Sequence, residues 1–223
     1  MTSDPAIQRI LVVDDNASVR KTYAFPIEAA EREAVIREES LGSLEEFLAT
    51  PLQADAAVSD YQLSPGNYAS FDGARLVSEW YKRRFPAILC TQFDKANVAR
   101  FRVLRRWMPV VMRPDDLDQD TLMHGLELAQ REFRESFVPA RRPWRALVHF
   151  VEFSEEENYA NAKVPGWGEE VVALRAKDLP PKVRESIRIA QDCGEQFQCY
   201  ATANLGAERN EELYLSDWEV PAE

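Results

Sequence analysis

The sequence predicts an α/β protein: a five-stranded parallel sheet, doubly wound with helices in the flavodoxin-like manner, followed by a small α+β domain. Three observations predict it. Short aliphatic runs without helical period, at residues 10–13, 56–58 and 87–90, alternate with amphipathic stretches, as strands covered on both faces require. Two of these runs end in carboxylates, Asp14-Asp15 and Asp60, and ligands of such sheets sit beyond the carboxyl ends of the strands. A chain of 223 residues exceeds the usual single domain, and Pro139 and Pro143 flank a basic pair where the helical pattern stops. The expected domains are residues 1–138 and 139–223.

The elements follow in order. After the first strand, Asn16 or Ser18 can cap a helix to about residue 30, with Pro26 forcing a kink or an early stop. Residues 34–38 read as a second strand, less apolar than the first, as befits an edge. Ser43 and Glu46 form a capping-box pattern that opens a short helix ending near Pro51. The third strand runs to Asp60, and residues 61–70, with Pro65, Gly66 and Asn67, make a flexible loop. Residues 72–84 place Ala74, Leu76, Val77, Trp80 and Tyr81 at helical spacing, and Pro86 starts the strand 87–91. Residues 95–106 read as a fourth helix, 110–112 as the fifth strand and 118–133 as the last helix, with Leu122, Leu126, Ala129 and Phe133 inward. Beyond the boundary the period becomes strand-like at 144–153, 171–174, 197–203 and 212–215, with a helix over about 182–191.

Chemistry concentrates at the strand ends. If those ends converge, Asp14, Asp15 and Asp60 meet, and their repulsion is tolerable only with a proton or a hard divalent cation, for which Mg²⁺ is the natural candidate. With five landmarks in order, residues 9–134 resemble the response-regulator receiver domain of two-component signalling. Asp14 and Asp15 match its acidic pair, Asp60 its phospho-acceptor, Thr91 its hydroxyl residue, and Arg113-Pro114 its Lys-Pro.

The resemblance implies that Asp60 takes a phosphoryl group from the phosphohistidine of a histidine kinase or phosphotransfer protein. It further implies Mg²⁺ held by Asp15, Asp60 and the backbone carbonyl of Gln62, with Asp14 reached through water. Thr91 would donate to a phosphoryl oxygen and Arg113 would pair with the acyl phosphate. Three positions depart from the pattern: Arg113 replaces a lysine, Gln92 stands where a small residue is usual, and Val110 holds the place of an aromatic switch.

Composition narrows the rest. A formal charge of −11 argues against a dedicated nucleic-acid binder, and residues 140–223 are the more acidic part for their length. No apolar run approaches a membrane span and the start lacks a secretory pattern, so no membrane association and a cytoplasmic location are expected. Three cysteines, Cys90, Cys193 and Cys199, lack metal-like spacing and read as reduced thiols. Lys95, Arg100, Arg102, Arg105 and Arg106 make the fourth helix locally basic, either a solvated face or a docking surface for an acidic partner, this protein's own carboxy-terminal domain being one candidate, or for a second copy of the receiver, a homodimer.

The carboxy-terminal domain reads as a protein-interaction module with an unknown target. His149 reads as an ordinary strand residue, and no nucleophile and base pair points to an enzyme. The leading reading is a response regulator with a non-DNA-binding output domain. A pseudo-receiver adaptor that works without phosphorylation, and a phosphate sink, are the alternatives.

Overall fold

In the computed structural model, residues 6–64, 67–92 and 98–220 are described, and they divide into two compact units. The first comprises Met1–Phe93 and Trp107–Ser136, the second Asp94–Arg106 and Phe137–Glu223. The chain therefore passes between units three times, twice around the segment 94–106.

The first unit is the predicted parallel sheet. Its strands are β1 (Arg9–Val13), β2 (Glu33–Ile36), β3 (Ala56–Asp60), β4 (Ala87–Cys90) and β5 (Val111–Met112), in the order β2-β1-β3-β4-β5. Every pair is parallel. The order reverses between β1 and β3, the switch point beyond which a ligand crevice opens. Helices α1 (Ala17–Ala29), α2 (Leu44–Ala49), α3 (Gly73–Lys82) and α5 (Gln119–Phe133) belong to this unit. Period-two alternation sends Ile10, Val12, Val58 and Ile88 to one face, where they pack with Tyr23 and Ile27 of α1 and Leu122 and Leu126 of α5.

Local sequence accounts for the helix ends. Asn16 caps α1 by accepting from the Ser18 and Val19 amides, and Pro26 lies within the helix without ending it. The Ser43–Glu46 capping box is formed in full, and Asp72 and Asp118 cap α3 and α5. Pro65 and Gly66 of the loop after β3 lie outside the described residues.

The second unit has an antiparallel sheet in the order β10-β9-β6-β7-β8: β6 (Trp144–Ser154), β7 (Tyr159–Lys163), β8 (Val171–Leu174), β9 (Gln198–Ala203) and β10 (Leu215–Glu219). Helix α6 (Pro181–Asp192) contributes Val183 and Ile187 to a core with Val148, Phe150, Val172 and Leu215. Five strands form where four were expected. The additional strand, β7, turns only Ala160 and Ala162 inward, too little apolar bulk to register as an alternating pattern. The last strand lies later than residues 212–215 because a 3-10 turn occupies Asn210–Glu212, and Asp217, at φ 48°, bulges the strand.

The fourth helix is the main correction. Among the described residues of that stretch, only α4 (Val98–Phe101) is α-helical, followed by a 3-10 turn at Arg105–Trp107, and the segment up to Arg106 belongs to the second unit. Lys95 lies outside the described residues. The expected basic face is largely consumed within that unit: Arg102 is 1% exposed, and Arg105 and Arg106 are half-buried with their carbonyls accepting from the Arg141 guanidinium, each at 2.9 Å. A helix-like spacing of Val98, Phe101 and Leu104 identifies an amphipathic piece, but not the core against which it packs.

Candidate functional site

Register brings the sequence landmarks to one level. Val13 pairs with Ser59, Asp60 with Cys90 and Cys90 with Met112, so Asp14, Asp60, Thr91 and Arg113 stand at or one step beyond neighbouring strand ends. Adjacent strands lie about 5 Å apart, which makes Asp14 and Thr91 the near neighbours of Asp60 and puts the Arg113 backbone about 10 Å away.

The acids act on each other. Asp14 is 3% exposed, and burial, assisted by the charges of Asp60 and Asp15, pushes its carboxyl up to about 6 against a bond from the Asn16 amide that favours ionisation. The Asn16 amide donates to Asp14 Oδ1 at 2.7 Å. Burial also raises Asp60, opposed by amide bonds from Gln62 and Tyr61 and reinforced by Asp15. The Gln62 amide donates to Asp60 Oδ2 at 2.8 Å, fixing the carboxyl orientation through a two-residue turn. Asp15 is half-buried at the mouth.

Thr91 is buried at the end of β4, its amide donating to the Met112 carbonyl at 2.9 Å. Arg113 is not brought in. Its side chain is exposed, and it is not among the charges that act on Asp60. Val110 is half-buried and faces α5, where a Cβ on Gly125 would come within 3.2 Å of Val110 Cγ1. Among the described residues, no three His, Cys, Asp or Glu side chains close on one point as a metal cage. What converges is a set of hard oxygen donors: the Asp15 and Asp60 carboxylates, with the Gln62 backbone close to Asp60 and Asp14 behind.

Several supporting residues escaped the sequence reading. A Cβ on Gly73 would fall 1.7 Å from the Asp60 carbonyl oxygen, while the Gly73 amide donates to the Tyr61 carbonyl at 2.9 Å. Only glycine lets the start of α3 lie against the acceptor strand. Its signal was the Asp72-Gly73 step, a cap followed by a residue with no side chain. Arg20, 7% exposed, donates to the Asp14 backbone carbonyl at 2.6 Å and lies over the Tyr68 ring at 5.6 Å, so it steadies the acid's backbone, and its charge favours the ionised carboxylate. Beneath the acids, buried Tyr23 is hydrogen-bonded to Cys90, and burial pushes the Cys90 thiol up to about 11. That thiol stays protonated at neutral pH, a core group and no nucleophile.

Some expectations for the second unit can be placed as well. Asn204, fully buried, donates to the Ala140 and Glu212 carbonyls and accepts from the Tyr214 amide, which gives it a structural role in its turn. Cys193 is exposed and Cys199 buried, both free. No described helix is long and apolar enough to cross a membrane.

No protein-family model matches the chain, and no curated protein does. Solved structures do. A response regulator receiver domain protein from Clostridium thermocellum aligns at 16% identity over 57% of this chain and 98% of its own, with a TM-score of 0.42. A CheY-like receiver domain protein from Methanospirillum hungatei JF-1 aligns at 18% over 58% and 98%, with a TM-score of 0.42. The signal receiver domain of an HD domain-containing protein from Pseudomonas fluorescens Pf-5 aligns at 13% over 60% and 95%, with a TM-score of 0.45.

Proposed function

We propose that this chain is a two-component response regulator whose first unit accepts a phosphoryl group on Asp60 and whose second unit is a protein-interaction module. The carrying observation is the electrostatic convergence of Asp14, Asp15 and Asp60 at the ends of β1 and β3. Asp14 and Asp60 both hold their protons more tightly than usual, chiefly through burial and also through neighbouring acid charge, Asp60 and Asp15 acting on Asp14 and Asp15 on Asp60, which leaves the site suited to one added positive charge. Because every donor is oxygen, the residues fit a hard cation such as Mg²⁺, held by Asp15, Asp60 and the Gln62 carbonyl with Asp14 in support. When bound, the ion neutralises the carboxylates and the incoming phosphate.

The chain's own groups would do the rest. The Asp60 carboxylate, oriented through Oδ2 by the Gln62 amide, attacks phosphorus with its other oxygen; a P–O bond forms, the P–N bond to the donor imidazole breaks with its electron pair passing to nitrogen, and the imidazole leaves neutral because its other nitrogen keeps the proton it carried in the phosphohistidine. Thr91, one residue beyond the strand partner of Asp60, donates its hydroxyl to a phosphoryl oxygen. Arg113, exposed, swings in to bind two oxygens at once. The kinase or phosphotransfer protein supplies the phosphohistidine.

The test is transfer from a phosphorylated kinase domain or acetyl phosphate in Mg²⁺, with hydroxylamine sensitivity of the product. An acyl phosphate lost on hydroxylamine treatment and absent from Asp60→Asn supports the reading. A chain that binds partners without ever gaining the label is the adaptor that Val110 and the outward Arg113 would allow, and the reading fails.

A further inference from the structure

Arg20 is a buried cation beside a buried acid, yet its hydrogen bond goes to that acid's backbone. Nη1 donates to the Asp14 carbonyl at 2.6 Å, and among the described residues no ion pair joins the guanidinium to the Asp14 carboxylate. Buried opposite charges ordinarily pair, because each is otherwise uncompensated. On the Asp14 carboxyl the Arg20 charge acts less than burial, the Asn16 amide, Asp60 or Asp15. Something keeps the guanidinium where it is.

The neighbour that holds it is Tyr68. The guanidinium lies over the Tyr68 ring, 5.6 Å from its centroid, within reach of the attraction between a cation and an aromatic face. Tyr68 is itself buried, and burial pushes its phenol up to about 12, so it meets Arg20 as a neutral ring.

That ring is fixed from several directions. Its hydroxyl donates to the Arg37 carbonyl at 2.8 Å, while the Tyr68 carbonyl accepts from the Leu41 amide at 2.7 Å and from Ser40 Oγ at 3.0 Å. The next residue, Ala69, bridges Gly42 in parallel fashion, and its amide donates to the Leu63 carbonyl at 2.9 Å. Bound through both backbone and hydroxyl, Tyr68 offers Arg20 a rigid surface. All of these residues belong to the first unit.

We propose that Tyr68 is a positioning residue of the strand-end site: its ring keeps the Arg20 guanidinium on the Asp14 backbone carbonyl and away from the Asp14 carboxylate, which is thereby left to a divalent cation. The inference rests on the reading of Asp14, Asp15 and Asp60 as a Mg²⁺ site. Without the ring, rotation of the Arg20 side chain pairs two buried charges, and the guanidinium competes with the ion for one carboxylate.

Mg²⁺ titration by isothermal titration calorimetry on the full-length protein tests it, with urea unfolding to confirm that each variant is folded. Tyr68→Met, which fills the space without a ring, should weaken Mg²⁺ binding about tenfold, the effect of one competing charge beside the ion. Tyr68→Phe, which keeps the ring, should stay within about twofold of the wild type. The decisive comparison is the double variant. In an Arg20→Met background, Tyr68→Met should cost no Mg²⁺ affinity because no guanidinium is left to compete, whereas a ring that only packed the core would weaken binding equally in both backgrounds. Equal losses with and without Arg20, or Tyr68→Met binding like the wild type, overturn the inference. Should Tyr68→Met fail to fold, Arg20→Lys decides: its compact ammonium lacks the planar face that lies on the ring and should weaken Mg²⁺ binding several-fold, and unchanged affinity overturns the inference too. A wild type that binds no Mg²⁺ refutes the site itself, and this role of Tyr68 with it; Mg²⁺ bound alike by the wild type and Tyr68→Met refutes the role of Tyr68 alone.

Discussion

Replacing Asp14 by asparagine separates the charge of this residue from its shape. The Asn16 amide donates to Asp14 Oδ1 at 2.7 Å, and an asparagine carbonyl accepts that bond equally well. Arg20 holds the backbone carbonyl and is untouched. The substitution therefore removes a buried negative charge facing two others. A rise from 3.8 to about 6 corresponds to about 3 kcal/mol of folded-state cost for the ionised form. An asparagine amide must also be desolvated, so the expected gain at neutral pH without metal is about 1–3 kcal/mol.

The sign with pH follows from the raised value. The folded protein binds this proton more tightly than the unfolded chain, so the wild-type contribution is complete below about 3.8 and is lost as pH rises through about 6. Asp14→Asn should match the wild type in acid and pull ahead across that window. Urea unfolding in EDTA, followed by tryptophan fluorescence, measures it; with a slope of about 2 kcal/mol per molar, the midpoint should rise by about 1 M. Millimolar Mg²⁺ should stabilise the wild type more than the variant and narrow the gap. A variant less stable than the wild type at neutral pH, or a difference independent of pH, would refute the reasoning.

Other consequences are simpler. Gly73→Ala forces a methyl against the Asp60 carbonyl and should cost about 3 kcal/mol in thermal unfolding, with slower phosphoryl uptake; an unchanged melting temperature would contradict the close approach of α3. Ser43→Ala removes half of a formed capping box and should cost about 1 kcal/mol by urea unfolding without altering uptake; a change in uptake would mean that α2 matters to the site. Arg113→Ala, at an exposed position, should leave stability within about 0.5 kcal/mol. The same variant should slow acetyl phosphate uptake by about a hundredfold, and equal rates would remove Arg113 from the chemistry.

The parallel sheet was legible because its strands are buried on both faces, so Ile10 to Val13 and Ala87 to Cys90 stand out as unbroken aliphatic runs. The caps at Asn16, Ser43, Asp72 and Asp118 were legible because each is a short-range bond between a side chain and nearby amides. The gathering of Asp14, Asp15 and Asp60 followed from strand ends alone. What escaped was long-range. Gly73 gains its meaning from a strand carbonyl thirteen residues back in the chain, and Arg102 from carbonyls about 71 to 111 positions away. The basic stretch at residues 95–106 offered the carboxy-terminal domain as one candidate partner, but its local pattern does not say that a segment flanked by β4 and β5 should be built into that domain's core. The strand β7 escaped for the opposite reason, since alanines that pack fully carry almost no hydrophobic signal.

The central claim, that Asp60 is the nucleophile of an acid site completed by a divalent ion, is tested most directly by a crystal structure of the full chain in Mg²⁺ and beryllofluoride. The account predicts beryllium bonded to the Asp60 carboxylate, Thr91 donating to a fluoride, and Mg²⁺ on Asp15, Asp60 and the Gln62 carbonyl. An unmodified Asp60 with no ion beside it at saturating concentrations would contradict it.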